Sequence, residues 1–270
     1  MGLNIAINMD FDHTCTQHPI YHQDPFLEKL GVDVPAFWKE VSRRQSIYEA
    51  RSGGKENSNI VYLTLFKEAV EEKLNRPLTR ADLLEAGTLL KKEHLYPGLP
   101  EFWSYIREQF PDDRVQVGII SVGIKPILEG CPLVGPNIDV IAAYDFMTED
   151  DSPEGRIIGS ACTVSSDEKE NVLIRLSYGN SSKEGIASGR EVYEFPLGHS
   201  IIIADGFSDR AMCNVGRRYG ALCLGIAPDL EGVAQGNEKL GAYFNAFHIG
   251  DYRPGSILVN SIEERIHSFR

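Results

Sequence analysis

The sequence contains no run of apolar residues approaching the roughly 20 that would span a bilayer, and its opening, MGLNIAINMD, has no basic segment leading into a long apolar core. Neither a membrane-spanning helix nor a secretory leader is expected, and a cytoplasmic setting is. Cysteine is sparse: Cys15, Cys131, Cys162, Cys213 and Cys223 are odd in number and include no CxxC pair. That speaks against a zinc ribbon, a dithiol redox motif and a disulfide framework. Positive charge is also short, with 27 basic against 39 acidic residues and a net charge of −12, which repels a nucleic-acid backbone. No local basic patch counters it, since the richest stretch (Arg43, Arg44, Arg51, Lys55) is interleaved with Glu40 and Glu49. Internal repeats and low-complexity segments are missing too.

What remains is an ordinary globular composition, 42% hydrophobic and 24% charged over 270 residues. This is enough for one core domain carrying a smaller insertion. The first apolar run, Leu3 to Met9, stops abruptly at Asp10-Phe11-Asp12-His13-Thr14. A buried parallel strand delivers polar residues at its carboxyl end in this way. From Asp24 to His94 the apolar period becomes helical, with Thr79 placed as an N-cap ahead of Ala81 and Leu83. After Pro97-Gly98, helix and strand signals alternate. A helix over Leu99 to Phe110 precedes strands at Val115 to Ile120 and Val140 to Ala143, then a hairpin or extended excursion over Asp145 to Thr163 turning at Asp150, Asp151 and Gly155. A helix from Asp167 to Tyr178 leads to strands at Gly198 to Ala204, Ala221 to Ile226 and Ala246 to Ile249, and a last helix starts at Ser256. The pattern predicts an α/β chain: a doubly wound, Rossmann-like parallel sheet core (1–20 and 97–270) with an inserted α-helical cap (21–96).

Four short features sit at element boundaries in a fixed order: Asp10-x-Asp12-x-Thr14 after the first strand, Ser121 at the end of the next, Lys169 at the start of a later helix, and Asp205-x-x-x-Asp209 after a further strand. Singly each is weak, because aspartates favour turns and helix N-termini, serines cap helices, and lysines among acids form surface pairs. Together and in this order they resemble the signatures of the haloacid dehalogenase superfamily, and DFDHT with ADGFSD is most similar to its phosphoserine-phosphatase-like members.

The resemblance implies a magnesium-dependent phosphatase in which Asp10 is the nucleophile and Asp12 the general acid and base. Thr14, Ser121 and Lys169 would bind the phosphoryl group. Magnesium would be held by the Asp10 and Asp205 carboxylates, the Asp12 carbonyl, and Asp209 directly or through water. Lys125 rivals Lys169, but Pro126 beside it and the family order favour Lys169. Dehalogenase chemistry has no use for Asp12. A phosphotransferase or mutase would keep the same residues, and a binding-only relative would be free to lose Asp10 or Asp12. A cap after the first strand favours a small phosphorylated metabolite as partner, with neither nucleic acid nor membrane. Arg44, Tyr48 and Arg51, on one helix face, are the candidates for reading the leaving group. His18 and His22 are four apart, but Pro19 argues against a helix presenting both to a metal, so His13, His18 and His22 read as solvent- or substrate-facing.

Overall fold

The computed structural model describes residues 2–52, 59–150, 152–162, 164–166, 168–179 and 193–270. Lys55 of the basic stretch, Asp151 of the expected turn and Asp167 at the expected helix start lie outside the described residues. Seven strands form one sheet: β1 (Asn4–Met9), β2 (Arg114–Ile124), β3 (Val140–Thr148), β4 (Ile157–Cys162), β5 (Ser200–Ala204), β6 (Leu222–Ala227) and β7 (Ala246–Ile249). Their spatial order is β4-β3-β2-β1-β5-β6-β7, parallel except for the β3–β4 pair. β1 is therefore central, and the order reverses on either side of it. Ligands in open α/β sheets bind at such a switch point, outside the carboxyl ends of the strands.

The near-continuous apolar runs of β1 and β5 are explained by burial on both faces. In β5, Ile201 and Ile203 join Phe102 and Ile106 of α5 (Leu99–Gln109) and Leu258 and Ile262 of α10 (Ile257–Ser268) in one cluster. Ile202 and Ala204 join Val172 and Leu173 of α7 (Lys169–Ser177) and Met212 and Cys213 of α8 (Arg210–Arg218) in the other. The two-residue strand period thus assigns alternate side chains to opposite helical layers. β6 ends in a turn whose Asp229 side chain caps the helix α9 (Leu230–Leu240) by accepting from the Gly232 N–H.

Between β1 and β2 lie α1 (Asp24–Lys29), α2 (Val34–Ser52), α3 (Asn59–Leu74) and α4 (Arg80–Gly87). Thr79 caps α4 as expected, in a reciprocal box with Asp82, an arrangement that contributes about 1 kcal/mol. α4 packs on the short helix α6 (Lys125–Gly130) with backbones in contact. A Cβ on Gly130 would lie 2.0 Å from the Leu84 carbonyl oxygen, and one on Gly87 would lie 2.2 Å from that of Ile127. Arg80 of α4 also bonds Glu129 of α6 and Asp145 of β3.

β2 differs from the expectation. It does not stop at Ser121 but continues to Ile124, with its register against β3 shifting between Ile120 and Ile124. The Ser121 hydroxyl accepts from the Gly123 N–H at 3.0 Å, a local bond that takes the backbone out of regular pairing without ending the strand. No helix among the described residues is long and apolar enough to cross a membrane.

Candidate active site

The central strands bring the separated signatures together. Asp10 follows β1 and donates its N–H to the Ile203 carbonyl of neighbouring β5 (2.9 Å), while Asp205 directly follows β5. Asp209 precedes α8, and Lys169 opens α7. Lys169 and Asp209 are fully buried and Asp10 nearly so. The Lys169 ammonium lies 2.9 Å from Asp10 Oδ1 and donates to Asp209 Oδ1 at 2.6 Å. Asp209 occupies an N-cap position, yet its side chain makes no capping bond and accepts instead from Lys169 and from the Ser208 hydroxyl (3.0 Å). Lys125 is committed elsewhere, to Glu129 at 3.5 Å and Asp145 at 3.4 Å.

This cluster has an unbalanced charge. Asp10, Asp205 and Asp209 offer carboxylate oxygens that all lie within 4.8 Å of one another, against one ammonium. Burial pushes the Asp10 carboxyl up to about 7; Lys169 opposes that rise, while the neighbouring Asp209 and Asp12 charges add to it. Asp205 is pushed well above the ordinary range by burial and then by repulsion from Asp209 and Asp10. Burial works against the charged Lys169, but the two carboxylates beside it prevail and hold it above its ordinary value. Three carboxylates and one ammonium leave a formal deficit of two positive charges, in an all-oxygen setting. A hard divalent cation such as magnesium fits that deficit, with Asp10, Asp205 and Asp209 able to hold it.

Asp12, two residues past Asp10, is held by a residue that sequence reading missed. The His22 backbone N–H donates to Asp12 Oδ1 (2.7 Å), and His22 Nδ1 lies 2.8 Å from Oδ2 and 3.1 Å from Oδ1. At the other end of the ring, Nε2 accepts from the Ile124 N–H at 2.8 Å. His22 is 1% exposed, so the expected solvent- or substrate-facing role is corrected for it. His18 is exposed, and its ring lies 4.6 Å from that of His13. His13 takes a left-handed backbone (φ 60), and its Nδ1 lies 3.8 Å from Asp205. Burial lowers its affinity for a second proton.

Asp12 also faces a cavity of about 250 Å³, walled by Tyr21, Trp38 and Tyr62 and floored by Gln23 and Val122. Its cap-side residues from α2 are Trp38, Val41, Ser42 and Gln45. Arg44, Tyr48 and Arg51 are exposed and are not among the residues lining this cavity; Arg44 bonds Glu40 at 2.8 Å. The α2 residues that line the cavity beside Asp12 are Trp38, Val41, Ser42 and Gln45 instead. Thr14 and Ser121 are both buried. The Thr14 hydroxyl has no partner among the described residues, while its carbonyl accepts from the Tyr252 hydroxyl at 2.8 Å.

No family model matches the chain. A protein of Borreliella burgdorferi described as uncharacterized is 24% identical over 280 residues, covering 97% of this chain and 96% of its own length. A solved HAD family hydrolase from Salmonella enterica serovar Typhi has a TM-score of 0.55 at 14% identity, covering 93% of this chain and 69% of the hydrolase. A probable phosphoserine phosphatase from Vibrio cholerae gives 0.55 at 17% identity, covering 97% of this chain but 65% of its own. The chain therefore spans about two thirds of the length of these two solved proteins. At such identities the likeness shows the fold: the chain has the α/β fold of the haloacid dehalogenase-type hydrolases.

Proposed function

We propose that this chain is a magnesium-dependent phosphomonoesterase of the haloacid dehalogenase superfamily, working through an aspartyl-phosphate on Asp10. The observation that carries the reading is the cluster of buried Asp10 and Asp209 with half-buried Asp205 around the buried Lys169 at the carboxyl ends of β1 and β5. A structural ion pair needs one carboxylate for one ammonium. The surplus acid is costly to bury, and such cost is concentrated where chemistry requires it.

In this reading an Asp10 carboxylate oxygen attacks phosphorus as the bond to the leaving oxygen breaks. Lys169, Ser121 and Thr14 bind the phosphoryl oxygens. Asp12 gives its proton to the leaving oxygen, then takes one from the water that releases phosphate from Asp10. The carboxylates of Asp10 and Asp205, the Asp12 carbonyl and Asp209, directly or through water, would hold magnesium, which would supply the positive charge that lets an anionic ester approach this acidic site. Residues 21–96 act as the cap. The cavity beside Asp12 receives the leaving alcohol, and its size favours a small phosphorylated metabolite. The net charge of −12 argues against a nucleic-acid partner.

The test is phosphate release from a panel of small phosphomonoesters, with magnesium and with chelator, for the unmodified protein and Asp10→Asn. Magnesium-dependent release that vanishes in the variant is the expected result. A folded, metal-binding protein that releases phosphate from no panel member would turn the reading toward phosphoryl transfer or ligand binding.

A further inference from the structure

The chain has spent a buried histidine, a glycine and a strand irregularity on the orientation of one carboxylate. His22 touches Asp12 three times, through its backbone N–H (2.7 Å) and through ring Nδ1 to both oxygens (2.8 and 3.1 Å). The far side of the ring fixes its tautomer. A backbone N–H is only a donor, so the Ile124 N–H at 2.8 Å requires a lone pair on His22 Nε2. The ring therefore carries its proton on Nδ1 and aims it at Asp12. A second proton, on Nε2, would meet the Ile124 N–H head-on.

The cradle is built for this ring. A Cβ on Gly123 would lie 2.6 Å from His22 Cε1 and 3.1 Å from each ring nitrogen, so a larger residue there would push the imidazole out. The departure of β2 from its register with β3, which falls between Ile120 and Ile124, accompanies the pointing of the Ile124 N–H at Nε2 rather than along the strand ladder. Phe11 backs the ring edge-on at 6.2 Å between centroids.

We infer that His22 is a positioning residue: a neutral Nδ1–H imidazole that holds the Asp12 carboxyl in the orientation from which it exchanges a proton with the leaving group in the adjoining cavity. The inference rests on the phosphatase reading above. It gives His22 no proton of its own to transfer. The ring N–H stays in place, and Oδ2, which takes only that bond, keeps a lone pair for the proton that Asp12 moves.

Leaving-group dependence separates orientation of an acid from general support of the fold. An alkyl phosphate needs its leaving oxygen protonated, whereas p-nitrophenyl phosphate expels a stable phenolate unaided. His22→Phe should lower kcat/KM on the alkyl ester on the order of 100-fold, the usual worth of a placed general acid, with a far smaller loss in kcat/KM on p-nitrophenyl phosphate, since kcat/KM reports the steps through departure of the leaving group and not the hydrolysis of the aspartyl-phosphate common to both. His22→Asn, whose amide N–H falls near the Nδ1 position, should recover most of that loss. It also supplies a folded variant if the phenylalanine is not accommodated. Ring nitrogen NMR of the unmodified protein should show a protonated Nδ1 and a bare Nε2. Equal losses on the two esters, no loss in folded variants, or an Nε2–H tautomer would each overturn the inference. If Asp12→Asn shows the leaving-group split and the His22 variants do not, only the role of His22 falls. If the unmodified protein hydrolyses neither ester, the phosphatase reading falls with it.

Discussion

Replacing Asp10 with asparagine should make the metal-free protein more stable while abolishing its activity. The Asp10 carboxyl stands at about 7 against an ordinary 3.8, chiefly because it is buried, and only 5% of the residue is exposed to relieve it. At about 1.4 kcal/mol per pH unit, keeping this group ionised in the folded protein costs on the order of 4 kcal/mol above pH 7. The sign follows from proton counting. Between pH 4 and 7 the folded protein holds this proton and the unfolded chain does not, so the contribution is nil below pH 4, turns unfavourable as pH rises, and is complete above 7. An asparagine of the same shape carries no charge to desolvate, although it forfeits the attraction of Lys169. Urea unfolding in chelator at pH 8 should therefore find Asp10→Asn more stable by about 2–4 kcal/mol, roughly 4–8 °C in melting temperature for a chain of this length. At pH 5 the advantage should fall to about 1–2 kcal/mol. Magnesium at a hundred times its dissociation constant adds about 2.7 kcal/mol to the unmodified protein and should close most of the gap. A variant no more stable than its parent at pH 8 in chelator, or one whose advantage grows on acidification, would refute the charge-imbalance account of the cluster.

Lys169→Met should destabilise the metal-free protein by about 3–5 kcal/mol, because it strips the ammonium that pairs with Asp10 and Asp209, and should suppress phosphate release; unfolding and activity assays check the two effects separately. Trp38→Phe removes the indole donor to Asp24 Oδ1 (2.9 Å), whose carboxyl is raised to about 6 mainly by burial. The loss should be about 2 kcal/mol in unfolding at pH 8 and markedly less at pH 5, where Asp24 is mostly protonated in the folded protein. Gly130→Ala places a methyl 2.0 Å from the Leu84 carbonyl oxygen and should cost about 1–3 kcal/mol or more in thermal unfolding, without altering the ligand set of the cluster.

Strand ends were the readable part of this chain. Buried parallel strands are apolar to their last residue, so the abrupt passages Met9 to Asp10 and Ala204 to Asp205 mark both a boundary and an edge of the sheet. Adjacency of β1 and β5 then places the two aspartate motifs together. Lys169 was found by its order among motifs rather than by any local signal, since its acidic neighbours look like those of an exposed residue, and yet its side chain is fully buried. His22 escaped because its partners share no period with it: Asp12 is 10 residues away and Ile124 is 102 away, joined only by the return of β2 beside β1. The α2 residues were misread for a related reason. Periodicity tells which side chains share a face but not what that face meets, and the mixed face of Trp38, Val41, Ser42 and Gln45 is the one at the cavity. The overrun of β2 beyond Ser121 comes with a register shift against β3, which leaves no trace in hydrophobic patterning.

The backbone seam at Gly87 and Gly130 divides the inserted helices mechanically. With glycine against carbonyl on both sides and Arg80 tied to Glu129 and Asp145, α4 is fastened to α6 and β3. The α2–α3 pair, outside that seam, is what brings Trp38 and Tyr62 to the cavity beside Asp12. An engineer wishing to re-aim this protein would graft new walls onto those two helices and leave the α4–α6 joint untouched, because a side chain larger than hydrogen at Gly87 or Gly130 would run into the backbone across the seam.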